Sequence, residues 1–150
     1  MGAVRTAPRM EQPVLLTPHA GEMAHLLGTD KGRIATAPAT CAQAASQRWN
    51  AVVALKGVVT HIAEPGGRLW RHTGGHNGLG TSGSGDVLAG LITGLAARGA
   101  PLAQAAAWGV ALHARAGEVL GQRQGPLGYL ARDISAEVPR LMQRLGTDAG

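Results

Sequence analysis

The chain has 150 residues, of which 45% are hydrophobic and 3% are aromatic. This length is enough for one domain with a core and too short for two of ordinary size. The formal net charge of +5 is compatible with nucleic-acid binding, but the basic residues are scattered and form no run of five or more. We therefore expect no nucleic-acid partner and a basic surface that favours phosphorylated small molecules.

Cys41 is the single cysteine, so neither an intramolecular disulfide nor a cysteine-based metal site is expected. The N-terminus contains no apolar leader segment, and no stretch is long enough to span a membrane. We expect a cytoplasmic protein without a membrane partner. Neither the pair His72 and His76 nor the pair His19 and His25 has a carboxylate or cysteine companion at useful spacing, so no protein metal site is predicted.

The hydrophobic pattern predicts a poorly ordered tail at residues 1–12 and one α/β domain at residues 13–146. A Pro-Gly-Gly turn at residues 65–67 predicts a hairpin between the last two strands. Asp133 is expected to cap the last helix, which contains a proline. In chain order, we predict a strand at 14–16, a helix at 21–27, a loop at 29–37, a helix from Thr36 or Pro38 to Trp49, strands at 51–55, 58–63 and 68–72, a glycine-rich loop at 74–85, and helices at 86–98, 101–121 and 133–145.

The glycine-rich loop leads directly into an apolar helix through the segment Thr81–Asp86, which reads TSGSGD. Gly83 and Gly85 allow a tight turn that aims backbone N–H groups at one point, and the positive end of the helix favours an anion there. Ser84 lies between them and completes the predicted anion hole. A carboxylate at Asp86, beside a bound phosphate, is placed to take a proton from a hydroxyl group that attacks the phosphate.

Three other interpretations of this loop agree less well with its residues. A structural N-cap at Asp86 explains neither the crowded glycines nor the flanking hydroxyl groups. The G-x-G-x-x-G pattern at residues 78–83 lacks the acidic residue about twenty positions later that a dinucleotide-binding fold needs. A Walker loop is excluded because no lysine follows the glycines.

The segment 81–99 resembles the GTGD-type anion-hole segment of ribokinase-like enzymes, in which this aspartate is the catalytic base. Two further segments narrow the resemblance. LTPHAGEM at residues 16–23 is similar to the TPHPGE-type segment of NAD(P)H-hydrate dehydratases, with Ala20 in place of the usual proline. KGVVT at residues 56–60 resembles their KGxxT segment, which lies against the adenine nucleotide.

This resemblance to the ADP/ATP-dependent NAD(P)H-hydrate dehydratases runs from about Leu15 to Leu141. It implies a ribokinase-like three-layer α/β/α fold that is incomplete at the N-terminus. His76 and Asn77 depart from the family pattern, which often has Asn and Pro there. The implied reaction restores hydrated NADH or NADPH, with ADP or ATP as co-substrate and Mg²⁺ at the phosphates.

The resemblance also implies roles for individual residues. Asp86 is the expected catalytic base and contacts the substrate, and His19 is expected to contact the hydrated nicotinamide nucleotide. Gly83, Ser84 and Gly85 form the expected anion hole. The residues expected to hold the adenine nucleotide are Lys56, Gly57, Val58, Val59, Thr60 and Gly85.

Two alternatives stay open at this point. A ribokinase-like small-molecule kinase has the same aspartate chemistry but forms a stable phosphoester. A non-catalytic nucleotide-binding fragment needs a partner chain to supply the rest of the fold. Because the second alternative requires the rest of the fold from another chain, we expect either a homo-oligomer or a complex with a partner chain.

Overall fold

The computed structural model describes residues 9–147, with side chains as far as Leu145. These residues form two compact units. The first unit contains the chain up to Thr73 together with Pro101–Ala107. The second unit contains Gly74–Ala100 and the chain from Trp108 onward.

Four strands of the first unit form one mixed sheet in the order β1-β2-β3-β4. Its strands are β1 (Leu15–Leu16), β2 (Val52–Leu55), β3 (Thr60–Ala63) and β4 (Leu69–His72). β1 is parallel to β2, and the other two pairs are antiparallel. The predicted hairpin of β3 and β4 is confirmed, because these two strands pair antiparallel across a short glycine-containing turn.

Three helices of the first unit lie between β1 and β2 in the chain: α1 (Ala20–Leu27), α2 (Lys31–Thr36) and α3 (Pro38–Trp49). The prediction of a loop at 29–37 is wrong, because Asp30 caps α2 by accepting from the Arg33 N–H at 2.9 Å. Ile34 of this short helix is buried. Burial of one apolar side chain and the cap stabilise a helix too short to show periodicity.

The core of the first unit is built from small and aliphatic side chains around one tryptophan. Trp49 is 2% exposed and packs among buried alanines at the end of α3. Ser46 satisfies its buried hydroxyl by donating to the carbonyl oxygens of Ala51 at 2.7 Å and Ala63 at 3.2 Å. The buried cluster contains Met23, Ala24, Ile34, Ala42, Ala45, Trp49, Ala51, Val53, Leu55 and Ala63.

The second unit is helical. Its elements are a 3₁₀ turn (Asn77–Gly80), α4 (Ser84–Ala97), α5 (Leu102–Gln124), which begins in the first unit, and α6 (Ala131–Thr147). α4 begins two residues before the predicted start at Asp86. Its core joins α5 and α6 through Leu112, Ala116, Leu120, Tyr129, Ile134, Val138 and Leu141.

α6 starts at Ala131, two residues earlier than predicted, and Asp133 is not its N-cap. Asp133 is the third helical residue, where its carboxylate accepts from the Leu130 N–H at 2.8 Å. Pro139 lies inside the helix without ending it. Glu137 is 7% exposed and pairs with Arg123 of α5 at 2.6 Å, so this buried carboxylate is neutralised.

Most of the predicted N-terminal tail, residues 1–8, lies outside the described residues. Met10 is described, and its N–H donates to the Trp49 carbonyl oxygen at 2.8 Å. Its own carbonyl oxygen accepts from the Asn50 side chain at 3.0 Å. These bonds attach residue 10 to the end of α3, whereas the domain boundary at residue 12 stays a prediction.

Candidate functional site

His19 lies at the N-terminus of α1, directly after the loop that follows β1. Its Nδ1 accepts from the backbone N–H groups of Gly21 at 3.0 Å and Glu22 at 3.2 Å. The Glu22 carboxylate accepts in turn from the His19 N–H at 2.7 Å. This reciprocal pair is a capping box in which a histidine replaces the usual Ser or Thr.

The cap fixes the ring of His19. Because Nδ1 accepts two hydrogen bonds, the proton of a neutral ring is on Nε2. Nε2 lies 3.5 Å from the Glu22 carboxylate, and the side chain is 58% exposed. His19 therefore presents one oriented donor to solvent while its other nitrogen completes the helix.

Lys56 is adjacent to His19 across the sheet. The two residues form a parallel bridge, and the Lys56 N–H donates to the Pro18 carbonyl oxygen at 2.8 Å. Its ammonium group lies 3.7 Å from Glu22. The structure thus brings the predicted residues His19 and Lys56 together, with Glu22 between them. Sequence reasoning assigned no role to Glu22, although its position three residues after His19 is the spacing of a capping box.

A cleft of about 580 Å³ opens beside this group, within the first unit. The turn Lys56–Val59 forms one wall, and most of the remaining lining is apolar. Val58 is 97% exposed at the tip of the turn, so an apolar side chain stands in contact with solvent. Thr60, the last residue of the predicted segment, is buried at the start of β3 and does not line the cleft. The other lining residues are Ala20, Ile34, Ala35, Pro38, Ala39, Leu55, His61, Leu69 and Arg71.

His61 and Arg71 occupy directly opposed positions on β3 and β4, so both side chains lie on the cleft side of the sheet. His61 is 8% exposed, and its Nδ1 has no hydrogen-bond partner among the described residues. Burial lowers the pKa of His61 below its ordinary value, and the positive charge of Arg71 lowers it further. Two cationic side chains, Lys56 and Arg71, therefore border an apolar cleft that holds a neutral histidine.

The second predicted group, Gly83–Asp86, lies at the N-terminus of α4 in the second unit. Gly83 is the N-cap in the left-handed conformation, with φ 84° and ψ −8°, and it supplies no side-chain cap. Asp86 is the third helical residue and is exposed. Because Asp86 does not cap the helix, the structural interpretation of this residue fails. No described residue donates a hydrogen bond to its carboxylate.

The amides of this turn divide into two kinds. The Ser84 N–H donates to the Thr81 carbonyl oxygen at 3.2 Å, and the Asp86 N–H donates to that of Gly83 at 3.1 Å. Within the described residues, no backbone acceptor is recorded for the amides of Gly83 and Gly85. A helix N-terminus with unpaired donors and its positive dipole end attracts an anion. The two glycine amides are therefore better suited to an anion than the Ser84 amide.

Ser84 is joined to α5 by a buried histidine. The Nε2 of His113 lies 2.9 Å from the Ser84 hydroxyl oxygen and 3.0 Å from the Ser84 carbonyl oxygen. Ser84 is 3% exposed and His113 is 8% exposed. No functional role for His113 could be predicted from the sequence, because 29 residues separate it from Ser84.

Two glycines of the second unit, one in the 3₁₀ turn and one on α5, are required by close packing. A Cβ on Gly78 would lie 2.6 Å from the ring of Tyr129, and one on Gly117 would lie 2.6 Å from Leu79. Burial raises the pKa of Tyr129 above its ordinary value. His76, one of the departures from the family pattern, caps the 3₁₀ turn by accepting from the Gly78 N–H at 3.2 Å. This histidine thus replaces the usual residue with a side chain that can still accept a hydrogen bond.

No group of three or more His, Cys, Asp or Glu side chains within residues 9–145 could hold a metal ion. None of the helices in the described part of the chain has the length and apolar character needed to cross a membrane.

Comparisons with known proteins agree with the sequence motifs. A family model for NAD(P)H-hydrate dehydratase matches residues 3–140. The chain is 52% identical over 143 residues to the ADP-dependent (S)-NAD(P)H-hydrate dehydratase of Xanthomonas campestris pv. campestris, which covers 93% of this chain and 50% of that protein. The chain thus spans about half the length of this relative.

Solved structures agree with the fold. The ADP/ATP-dependent NAD(P)H-hydrate dehydratase from Bacillus subtilis, co-crystallised with ATP/Mg²⁺, superimposes with a TM-score of 0.88 at 32% identity, over 95% of this chain and 51% of that chain. A ribokinase-like superfamily protein from Enterococcus faecalis V583 gives a TM-score of 0.80 at 27% identity, over 94% of this chain and 48% of that chain. The predicted ribokinase-like α/β fold is confirmed.

Proposed function

The chain belongs to the NAD(P)H-hydrate dehydratase family, and from that premise we propose that it catalyses the ADP- or ATP-dependent dehydration of hydrated NADH and NADPH. One observation carries the proposal. Asp86 is an exposed carboxylate without a described partner, one residue after a glycine whose amide is available at the start of α4. A base and an anion-binding group are therefore neighbours in the chain.

The proposed first step transfers a phosphoryl group. Asp86 accepts the proton of the ring hydroxyl group as the hydroxyl oxygen attacks the terminal phosphorus of the nucleotide. The bond from that phosphorus to the bridging oxygen breaks, and ATP leaves as ADP, or ADP leaves as AMP. The amides of Gly83 and Gly85 stabilise the charge on the transferring group, with the Ser84 hydroxyl beside them.

The proposed second step is an elimination. The carbon–oxygen bond to the new phosphate breaks, the neighbouring ring carbon loses a proton, and the double bond of the reduced nicotinamide is restored. Inorganic phosphate leaves, so no phosphorylated nicotinamide accumulates. A kinase with the same base would accumulate a stable phosphoester, and this difference separates the two functions.

The cleft of the first unit is the proposed location of the adenine nucleotide. Its wall at Lys56–Val59 is the segment that resembles the nucleotide-binding KGxxT of the family, with Thr60 buried behind the turn. Apolar lining suits a flat base, while the charges of Lys56 and Arg71 suit phosphates. By the family resemblance, the amide of Gly85 is proposed to bind a phosphate of the nucleotide, and the Nε2 of His19 is proposed to donate to the hydrated nicotinamide nucleotide.

The described residues could bind Mg²⁺ only through a single carboxylate together with the substrate phosphates. This ion usually keeps several waters and binds one or two carboxylates together with substrate phosphates, so it needs no cage of protein side chains. Asp86 is the carboxylate nearest in sequence to the proposed anion hole. We propose that Mg²⁺, when bound, would neutralise charge on the phosphates and that the carboxylate of Asp86 would be the protein group available to hold it.

The test is the recovery of absorbance at the reduced-nicotinamide band when the purified chain is mixed with hydrated NADH, ADP and Mg²⁺. We expect recovery with the native chain, release of one phosphate for each NADH formed, and no recovery with Asp86→Asn. Recovery that persists in Asp86→Asn contradicts the assigned base. Failure to recover NADH while ADP still binds contradicts catalysis by this chain alone and favours the nucleotide-binding fragment.

Oligomeric state and location in the cell stay predictions. We propose that the chain acts as a homo-oligomer or with a partner chain, in the cytoplasm. Light scattering of the purified chain measures its mass, and a monomer that is fully active contradicts the proposed assembly.

A further inference from the structure

The segment Gly83-Ser84-Gly85 that begins α4 has little intrinsic preference for a helix. Glycine costs about 1 kcal/mol relative to alanine inside a helix, and serine is also a weak helix former. The first amides of a helix have no partner within it, so this turn is the part of α4 that frays most easily. An additional contact is needed to hold these groups in one orientation.

The buried ring of His113 supplies that contact. A carbonyl oxygen only accepts hydrogen bonds, so the 3.0 Å contact with the Ser84 carbonyl oxygen requires the proton to be on Nε2. The Ser84 hydroxyl oxygen, 2.9 Å from the same nitrogen, then shares that proton as a second acceptor. The hydroxyl hydrogen of Ser84 consequently points away from the ring.

The same contact orients the next amide. The Ser84 carbonyl group and the Gly85 N–H belong to one planar peptide unit and point in opposite directions. A carbonyl group directed at a buried histidine therefore directs the Gly85 N–H away from that histidine. Gly85 is half-buried, and no backbone acceptor for its amide is recorded among the described residues.

We propose that His113 is a positioning residue, which fixes the Ser84–Gly85 peptide so that the Gly85 N–H donates to a bound phosphoryl group. It acts through Ser84 and touches no substrate. As an account of dehydration this inference rests on the proposed function, but as an account of phosphate binding it is independent of that function.

Two readouts test the proposal on the full chain. The first is the shift of the Gly85 amide resonance when inorganic phosphate is added. The second is the separation of kcat from KM for ADP in the absorbance assay. The variants are His113→Leu, which removes the donor, His113→Gln, whose amide nitrogen reaches about as far as Nε2, and His113→Asn, whose amide does not. Gln122→Leu, at an exposed position of the same helix, is the control.

We expect phosphate to shift the Gly85 amide in the native chain, in Gln122→Leu and in His113→Gln. In His113→Leu and His113→Asn we expect roughly tenfold weaker phosphate binding and a roughly tenfold lower kcat, with a KM for ADP within about threefold of the native value. Recovery by Gln but not by Asn identifies the donor position and separates positioning from mere packing.

The outcomes distinguish this proposal from the function above. A native chain without dehydratase activity, whose phosphate response still depends on residue 113, removes the proposed function and keeps this inference. An active chain in which Gln and Asn at residue 113 give equal kcat and equal phosphate binding overturns the inference and keeps the function. If His113→Leu does not fold, the Gln and Asn pair decides. A native chain whose Gly85 amide does not respond to phosphate also overturns it.

Discussion

Helices α1 and α4 begin in opposite ways. At α1, the His19 side chain accepts from two backbone N–H groups, and Glu22 accepts from the N–H of His19. At α4, Gly83 supplies no side-chain cap, and the carboxylate of Asp86 remains exposed. A helix start that is closed by its own side chains contributes stability, whereas one left open keeps donors available for a ligand.

The largest expected effect is a loss of activity when the open start of α4 is changed without unfolding the chain. Asp86→Asn removes the proposed base, so we expect dehydratase activity to fall about 10²–10⁴-fold. The free energy of unfolding should change by no more than about 1 kcal/mol, since the lost charge interacts only with the helix dipole. Absorbance assays and urea unfolding measure the two quantities.

Asp133→Asn is the matched control, because Asp133 is also the third residue of a helix but accepts from the Leu130 N–H. It should lose stability and keep activity. Equal activity of Asp86→Asn and Asp133→Asn would mean that Asp86 is only a helix-terminal charge.

Changing the closed start of α1 is expected to lower the free energy of unfolding. His19→Ala removes both cap hydrogen bonds, and we expect the chain to lose about 0.5–2 kcal/mol of unfolding free energy. His25→Ala, in the last turn of the same helix, should change it by no more than about 0.5 kcal/mol. Denaturant unfolding measures both, and a stable His19→Ala variant would show that the capping box contributes nothing.

Two glycines in the left-handed conformation sharpen the comparison. Gly83 has φ 84° and Gly28, the C-cap of α1, has φ 66°. Alanine at either position should cost about 1–2 kcal/mol because a Cβ disfavours this conformation. Of the two variants, only Gly83→Ala should also weaken phosphate binding, which a titration with phosphate measures. Equal phosphate binding by the two variants would contradict an anion hole at Gly83.

The smallest expected effect is the pH dependence contributed by His61. Its folded-state pKa is lowered from 6.5 by burial and by Arg71, so the unfolded chain binds more protons in the interval below that value. The contribution of His61 to stability is therefore present above pH 6.5 and is lost as the pH falls from there through the lower folded-state pKa. His61→Gln should flatten this acid side of a plot of thermal midpoint against pH, and an unchanged slope would contradict the lowered pKa of this buried ring.

Local patterns predicted most elements of this fold and the composition of both site segments. The buried strands β2 and β3 and the helix α3 carry continuous apolar runs or helical spacing, which can be recognised in one sequence. Helix α2 lacked such a pattern because it has six residues, one of them glycine. The earlier start of α4 was hidden because Gly-Ser-Gly is a poor helix former, and a tertiary contact with His113 adds to its local backbone hydrogen bonds.

The site was less accessible to sequence reasoning than the fold. Asp86 follows a glycine-rich loop that the sequence shows directly, whereas Lys56 was singled out only because its segment resembles the KGxxT of the family. The contact of His113 with Ser84 crosses 29 residues and has no local pattern, and neither has the pairing that places His61 opposite Arg71. Such contacts are set by helix and strand packing, which a single sequence specifies only through the whole fold.

The tryptophans give the two units different optical signatures. Trp49 is 2% exposed in the core of the first unit, whereas Trp108 is 44% exposed on α5 in the second unit. A buried indole emits at shorter wavelength and resists aqueous quenchers, while an exposed indole emits further to the red and is quenched readily. Once the half-buried Trp70 of the first unit is replaced by phenylalanine, fluorescence with a dissolved quencher therefore follows each unit separately, and melting curves at the blue and red edges of the emission band will coincide only when both units lose their structure together.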